Sequence, residues 1–167
     1  MPVPGELVQQ VIAVGLGSVD PWMVRATCSA IVNFVFFNRS QSVHLIALED
    51  LRVEDDLLVF RKRRTKLKPG TGLQSRVRSW PSRGAPEILD LVLRWSDLRD
   101  KAWADAGGTS GHFYTLPGER DPGAQTMSGW FVDLLKSLPS PPVEHFDHHS
   151  LHGGGASACY VLEVPER

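Results

Sequence analysis

The spacing of apolar residues changes period twice along this chain, and that change restricts the fold more than any other feature of the sequence. Leu7, Val11 and Val14 recur at helical intervals and predict a short helix over Gly5 to Gly15. Asp20-Pro21 then supplies a cap followed by proline at the first helical position. Met23, Cys28, Ile31, Val32, Val35 and Phe36 continue it as a strongly apolar helix to about Phe37, and Arg39 to Ala47 predicts a second helical piece. Past Leu48 the pattern becomes strand-like. Strands are expected near Leu51 to Val53, from Leu57 to Arg64 and near Leu73 to Ser79, with Glu54-Asp55-Asp56 and Lys68-Pro69-Gly70-Thr71-Gly72 as the two turns. Helical spacing returns at Pro86 to Ala104, where Ile88, Leu91, Val92, Trp95 and Leu98 form one stripe. It returns again at Thr126 to Leu138, with Trp130, Leu134, Leu135 and Leu138 on the buried side, ended by Pro139, Pro141 and Pro142. A histidine-led stretch, Glu144 to His152, opens a last helix rich in small residues. The expected fold class is α+β, mainly α-helical, with a small three-stranded antiparallel sheet.

A length of 167 residues fits one domain with a proper core. No run approaches the length of apolar sequence a membrane span needs, and the opening MPVPGELVQQ lacks the pattern of a secretory signal. Cys28 and Cys159 are far apart with no C-x-x-C pair, which argues against a disulfide framework or a cysteine zinc site. An intracellular location, nucleus or cytoplasm, is therefore expected. The formal net charge of −1 hides a strong segregation. Nine basic residues fall between Arg61 and Arg83: Arg61, Lys62, Arg63, Arg64, Lys66, Lys68, Arg76, Arg78 and Arg83. They are half of the Lys and Arg in the chain, and no acid interrupts Leu57 to Pro86. A phosphate backbone responds to that local field rather than to the total. A solvated basic hairpin or a localisation signal would look the same in isolation.

Three patches carry a resemblance. In the first, Arg39 follows an apolar helix and the pair Asp50-Leu51 stands eleven and twelve positions on, with Ser42 where a glutamate would be usual. The second is LLVFRKRRTKLK, Leu57 to Lys68, with Lys66 in an Arg-Thr-Lys context. The third is His149-Ser-Leu-His152 followed by Gly-Gly-Gly-Ala-Ser-Ala. Together they resemble the catalytic domain of tyrosine recombinases, the phage-integrase family, over about Met23 to Glu166.

That resemblance implies DNA recombination or integration through a phosphotyrosyl link, with double-stranded DNA as partner, self-association on the DNA, and no cofactor or metal. Arginine forks clamp the phosphate oxygens, a hairpin lysine protonates the leaving oxygen and a histidine bonds the phosphate. Carried over by position, Arg39 is the first clamp, Lys66 the general acid and His149 the phosphate-side histidine. His152 stands where the second arginine belongs. Arg61, Lys62, Arg63, Arg64, Lys68, Arg76 and Arg78 are the expected DNA contacts. Imidazole is only partly charged at neutral pH and offers no fork, so this exchange implies a loss of roughly 10²-fold or more in rate. The family's nucleophile follows the third patch by a few tens of residues, and neither Tyr114 nor Tyr160 occupies its place. The expectation is thus a single, incomplete catalytic domain over residues 1–167, inactive in strand cutting, or a non-enzymatic DNA-binding remnant of a mobile element. A different chemistry is open to the cluster His145, His148, His149 and His152 with Glu144 and Asp147, whose spacing suits a Zn²⁺-binding domain or a metal-dependent hydrolase.

Overall fold

A computed structural model describes residues 3–36, 46–55, 57–62, 76–81, 86–147 and 150; for Lys62 and 76–81 the backbone alone is described. Four helices and one small antiparallel sheet make up these residues: α1 (Gly5–Gly17), α2 (Pro21–Phe36), β1 (Leu51–Glu54), β2 (Leu57–Lys62), β3 (Arg76–Pro81), α3 (Pro86–Ala106) and α4 (Ala124–Lys136). The expectation of a mainly helical fold with a small antiparallel sheet agrees with this architecture.

The centre of the fold is α2. Between Val24 and Phe36 every residue except Phe34 is buried, so this helix has no solvent face over that length. A helix apolar nearly all round has to sit inside a domain, and α2 packs against α1, α3, α4 and the edge of β3. It starts as its sequence predicts, with the Asp20 carboxylate accepting the Trp22 N–H at 3.1 Å. Gly15 permits the closest approach of α1. A Cβ there would stand 2.7 Å from Leu91 Cδ1 and 2.8 Å from Thr27 Cβ, inside van der Waals contact.

The sheet runs in the order β1-β2-β3, with Leu51 opposite Phe60 and Glu54 opposite Leu57 in the first pairing, and Leu57 opposite Pro81 and Lys62 opposite Arg76 in the second. Asp55, with φ of 54°, takes the left-handed conformation that the tight β1–β2 turn requires and that Asp tolerates. Leu51, Leu58 and Phe60 are buried, and the Phe60 ring lies 5.2 Å from that of Phe36, which ties the sheet to the end of α2.

Several boundaries differ from expectation. The last strand runs on to Pro81 rather than ending at Ser79, because its pairing with β2 brings Trp80 opposite Leu58 and Pro81 to the strand end, where a missing N–H is harmless, and its expected start at residue 73 lies outside the described residues. Helical continuation to Ala47 fails. Ala47 is extended at φ −81°, ψ 164°, because it pairs with His112, and a 3₁₀ turn over Leu48–Asp50 follows. The expected reach of β2 to Arg64 and the helical piece over residues 39–45 lie outside the described residues, as does the last helix beyond Ser150. In α4 the buried stripe is Met127, Phe131, Leu134 and Leu135, and Trp130 is only half-buried at its margin.

Candidate nucleic-acid interface

Two neighbouring strands carry the described part of the basic stretch. Arg61 and Lys62 end β2, and Arg76 and Arg78 belong to β3. The register sets Lys62 directly across from Arg76, Arg61 across from Val77, and Arg78 across from Phe60. No acid occurs near them in sequence. Arg61 is half-buried, and an arginine stem can cover apolar surface while its charged head stays in water. Arg39, Lys66, His149 and His152, with Arg63, Arg64 and Lys68, lie outside the described residues.

The ends of the segments bearing Arg39 and His149 are described, and both are fixed by carboxylates. After the Arg39 segment the chain returns at Ile46, which accepts the Phe113 N–H at 3.0 Å, while Leu48 N–H donates to the Gly111 carbonyl at 3.1 Å. Asp50, the acid of the first patch, is buried and accepts the Ala47 N–H on Oδ2 at 2.9 Å. It thereby closes the 3₁₀ turn that redirects the chain into β1. At the third patch Asp147 Oδ1 accepts both the Ser150 N–H at 2.9 Å and the Ser150 hydroxyl at 3.1 Å, and Ser150 Oγ accepts the Asp147 N–H at 3.1 Å. This reciprocal cap opens the segment that carries His149 and His152. Val3 N–H donates to the Ser150 carbonyl at 3.1 Å and anchors the same point to the N-terminal segment.

Against the first of these anchors lies the strut 111–115, held by polar groups that the apolar pattern did not single out. Trp95 Nε1 and Arg99 Nη1 both donate to the Phe113 carbonyl, at 3.0 and 3.2 Å. Arg25 Nη1 donates to the Tyr114 carbonyl at 3.3 Å and Trp103 Nε1 to the Thr115 carbonyl at 2.8 Å. His112 Nδ1 accepts the Tyr114 N–H at 3.0 Å. Arg25 is buried, paired with Glu119 Oε1 at 2.6 Å, and its guanidinium carbon lies 4.4 Å from the Trp130 ring centroid. A signal for Arg99 existed. Ile88, Leu91, Val92 and Trp95 continue at helical spacing to position 99, so the stripe assigned to Leu98 is completed by an arginine.

Tyr114 is fully buried at the centre of this strut, edge-on to Phe113 at 4.9 Å and to Trp130 at 6.3 Å. Burial pushes its hydroxyl well above the ordinary tyrosine range, and the neighbouring Cys28 thiol pushes in the same direction. The hydroxyl has no hydrogen-bond partner of ordinary geometry among the described residues. A neutral, enclosed phenol cannot reach a DNA phosphate. Cys28 is equally enclosed, its thiol pushed up to about 12 by burial, and it is inert rather than nucleophilic. Tyr160 and Cys159 lie outside the described residues.

No family model and no curated protein matches this sequence. Solved structures do match its fold. The XerH site-specific recombinase bound to a palindromic difH substrate superposes with a TM-score of 0.67 at 11% identity, over 96% of this chain and 42% of that one. The Tn1549 transposon integrase in complex with circular intermediate DNA gives 0.63 at 14% identity, over 99% of this chain and 54% of that one. The catalytic core of lambda integrase gives 0.58 at 12% identity, over 99% and 85%. The chain therefore spans about half the length of the first two and most of the isolated core. At such identities the likeness concerns architecture: this chain has the fold of the tyrosine-recombinase catalytic domain.

Proposed function

We propose that this chain is a recombinase-type DNA-binding domain that grips duplex DNA through its basic β2–β3 hairpin and, within these 167 residues, binds without cutting. The paired cationic positions Lys62 and Arg76, with Arg61 and Arg78 beside them, carry the reading. They sit on a scaffold whose solved counterparts include recombinases in complex with DNA. The resemblance assigns Arg39, Lys66 and His149 to a single phosphodiester, Arg39 as a bidentate clamp, Lys66 as proton donor to the departing oxygen and His149 as a bond to a non-bridging oxygen. His152 in place of a second guanidinium weakens the clamp, and Tyr114 is enclosed in the core. The covalent step therefore has no nucleophile among the described residues.

The test is duplex binding by fluorescence anisotropy across a salt series. Each phosphate contact contributes a slope of about −0.9 in log K against log salt, so Arg61→Ala, Arg63→Ala and Arg64→Ala together should flatten the slope by between about 1 and 3 whatever the DNA sequence. An unchanged slope removes the hairpin as the contact. A nicked suicide substrate should give no covalent adduct, and its appearance would show that the domain cuts.

A further inference from the structure

Away from the hairpin, the connection between α1 and α2 and the middle of α3 enclose a groove of about 370 Å³ lined by Val19, Asp90, Leu93, Arg94, Asp97 and Leu98. Only three large apolar side chains are exposed among the described residues, and two of them meet here, Val19 at 84% and Leu93 at 45% exposure. Single exposed aliphatics are ordinary, but two on one concave surface are less so. Asp90 and Asp97 flank Leu93 two helical turns apart, roughly 10 Å along the axis, and neither has a hydrogen bond or ion pair among the described residues. Arg94 lies between them, but its guanidinium is turned to the backbone, where Nε and Nη2 both donate to the Ser18 carbonyl. It builds the wall that brings Val19 against α3. The groove thus has an aliphatic floor between two carboxylates.

We propose that this groove seats the basic stretch of a second copy of the chain, in a head-to-tail association formed without DNA. The complement is in the same sequence. The stretch from Arg61 to Arg83 holds nine cations and no acid, and in its sequence Leu67 stands between Lys66 and Lys68. By contrast α3 carries Glu87, Asp90, Asp97, Asp100 and Asp105 against Arg94, Arg99 and Lys101, and Arg99 already pairs with Asp100. A molecule basic on one segment and acidic on another is complementary to its own copy, and such a contact joins unlike surfaces. The association covers the cations that the proposed function assigns to DNA, so duplex DNA competes with the groove for them. Only this competition rests on the DNA-binding reading.

Sedimentation velocity on the full chain tests the proposal, with circular dichroism as the check on folding. Concentration-dependent species larger than the monomer are expected in about 50 mM salt and should dissolve in about 0.5 M, where screening acts over a few ångströms. Asp90→Lys with Asp97→Lys should weaken the association by about tenfold or more, and so should Lys66→Glu with Lys68→Glu. Mixing these two variants should restore it, because one copy then keeps an intact groove and the other an intact basic stretch. A monomer at every salt and concentration overturns the proposal, and so does association that ignores the groove substitutions or a mixture that stays monomeric. Added duplex should release the association. If DNA fails to bind at all, the DNA-binding reading falls while the self-association stands on the DNA-free data.

Discussion

Removing Glu119 should damage this protein more than removing the arginine it pairs with, although the glutamate is the more exposed partner. Arg25 keeps its charge at any practical pH, and its side chain is only 6% exposed against 41% for Glu119. Glu119→Ala therefore strands a buried guanidinium with the Tyr114 carbonyl at 3.3 Å and the Trp130 and Trp95 rings as its remaining partners, and takes the acceptor from the Leu116 N–H. Breaking a buried pair in this way costs about 3–5 kcal/mol, and the partial access of water to the vacated site lowers that to about 2–3. Arg25→Met removes the charge that needed compensation and fills much of the same volume. What remains is an unsatisfied Tyr114 carbonyl and a lost cation–π contact, about 1–2 kcal/mol after the relieved desolvation is credited. In the double variant the stranded charge does not exist, so its cost should stay near that of Arg25→Met and reveal a coupling of about 2 kcal/mol. Urea unfolding followed by tryptophan fluorescence reads these differences as midpoint shifts at constant slope. If the double variant costs the sum of the two singles, or if Glu119→Ala is the milder change, the carboxylate is not what makes a buried arginine tolerable in α2.

Other expectations follow from the same packing. Gly15→Ala should lower stability by about 1–2 kcal/mol despite alanine's gain of nearly 1 in helix propensity, since Thr27 is buried with its hydroxyl bonded to the Met23 and Val24 carbonyls and cannot yield; a thermal midpoint at or above that of the parent would contradict this. Asp147→Ala should cost about 1 kcal/mol through the lost cap and speed amide exchange at Ser150, while Asp147→Asn recovers most of it; equal effects of the two would speak against capping. Alkaline pH should destabilise the fold. Cys28 and Tyr114 hold their protons more tightly folded than unfolded, so stability is intact below pH 9, the ordinary thiol value, and falls as pH rises toward about 12. The slope is about 1.4 kcal/mol per pH unit for each group titrating. Cys28→Ala should flatten the first part of that decline, and a stability curve flat from pH 8 to 11 would show that neither group is enclosed.

The elements with one apolar stripe were legible in the sequence because their period alone determines them. α3 begins at Pro86 as expected and α2 begins at the Asp20-Pro21 signal. What was illegible has a common cause: polar residues whose place is set by partners distant in sequence. Arg25 lies 94 positions from Glu119, and nothing in the periodicity of α2 says that a cation on its buried surface will find a carboxylate beyond α3. Ala47 looks helical locally and becomes extended because the Ile46 carbonyl and the Leu48 N–H on either side of it bond the strut at Phe113 and Gly111. The three patches are a different matter. Motif matching gave Arg39, Lys66, His149 and His152 by position, and of that constellation the geometry describes only the supporting ends, at Asp50 and Asp147.

Those two aspartates suggest how a recombinase fold can persist at 11–14% identity. A capping carboxylate satisfies backbone donors in its own chain, so its loss is felt whether or not DNA is present, whereas a phosphate clamp is felt only when a phosphate arrives. Asp50 and Asp147 belong to the first kind and, as proposed, the position of His152 to the second. On the proposed reading, an imidazole there leaves the cap at Asp147, the anchor at Val3 and the packing of α2 untouched while the pull on a developing phosphate charge declines. Binding and cutting then separate along a physical line. On that reading the hairpin cations would act on ground-state phosphates through a field that tolerates substitution, and the clamp only on a transition state that demands a rigid, fully charged fork. One side chain can thus lower the second capacity by roughly 10²-fold without touching the contacts that hold the fold.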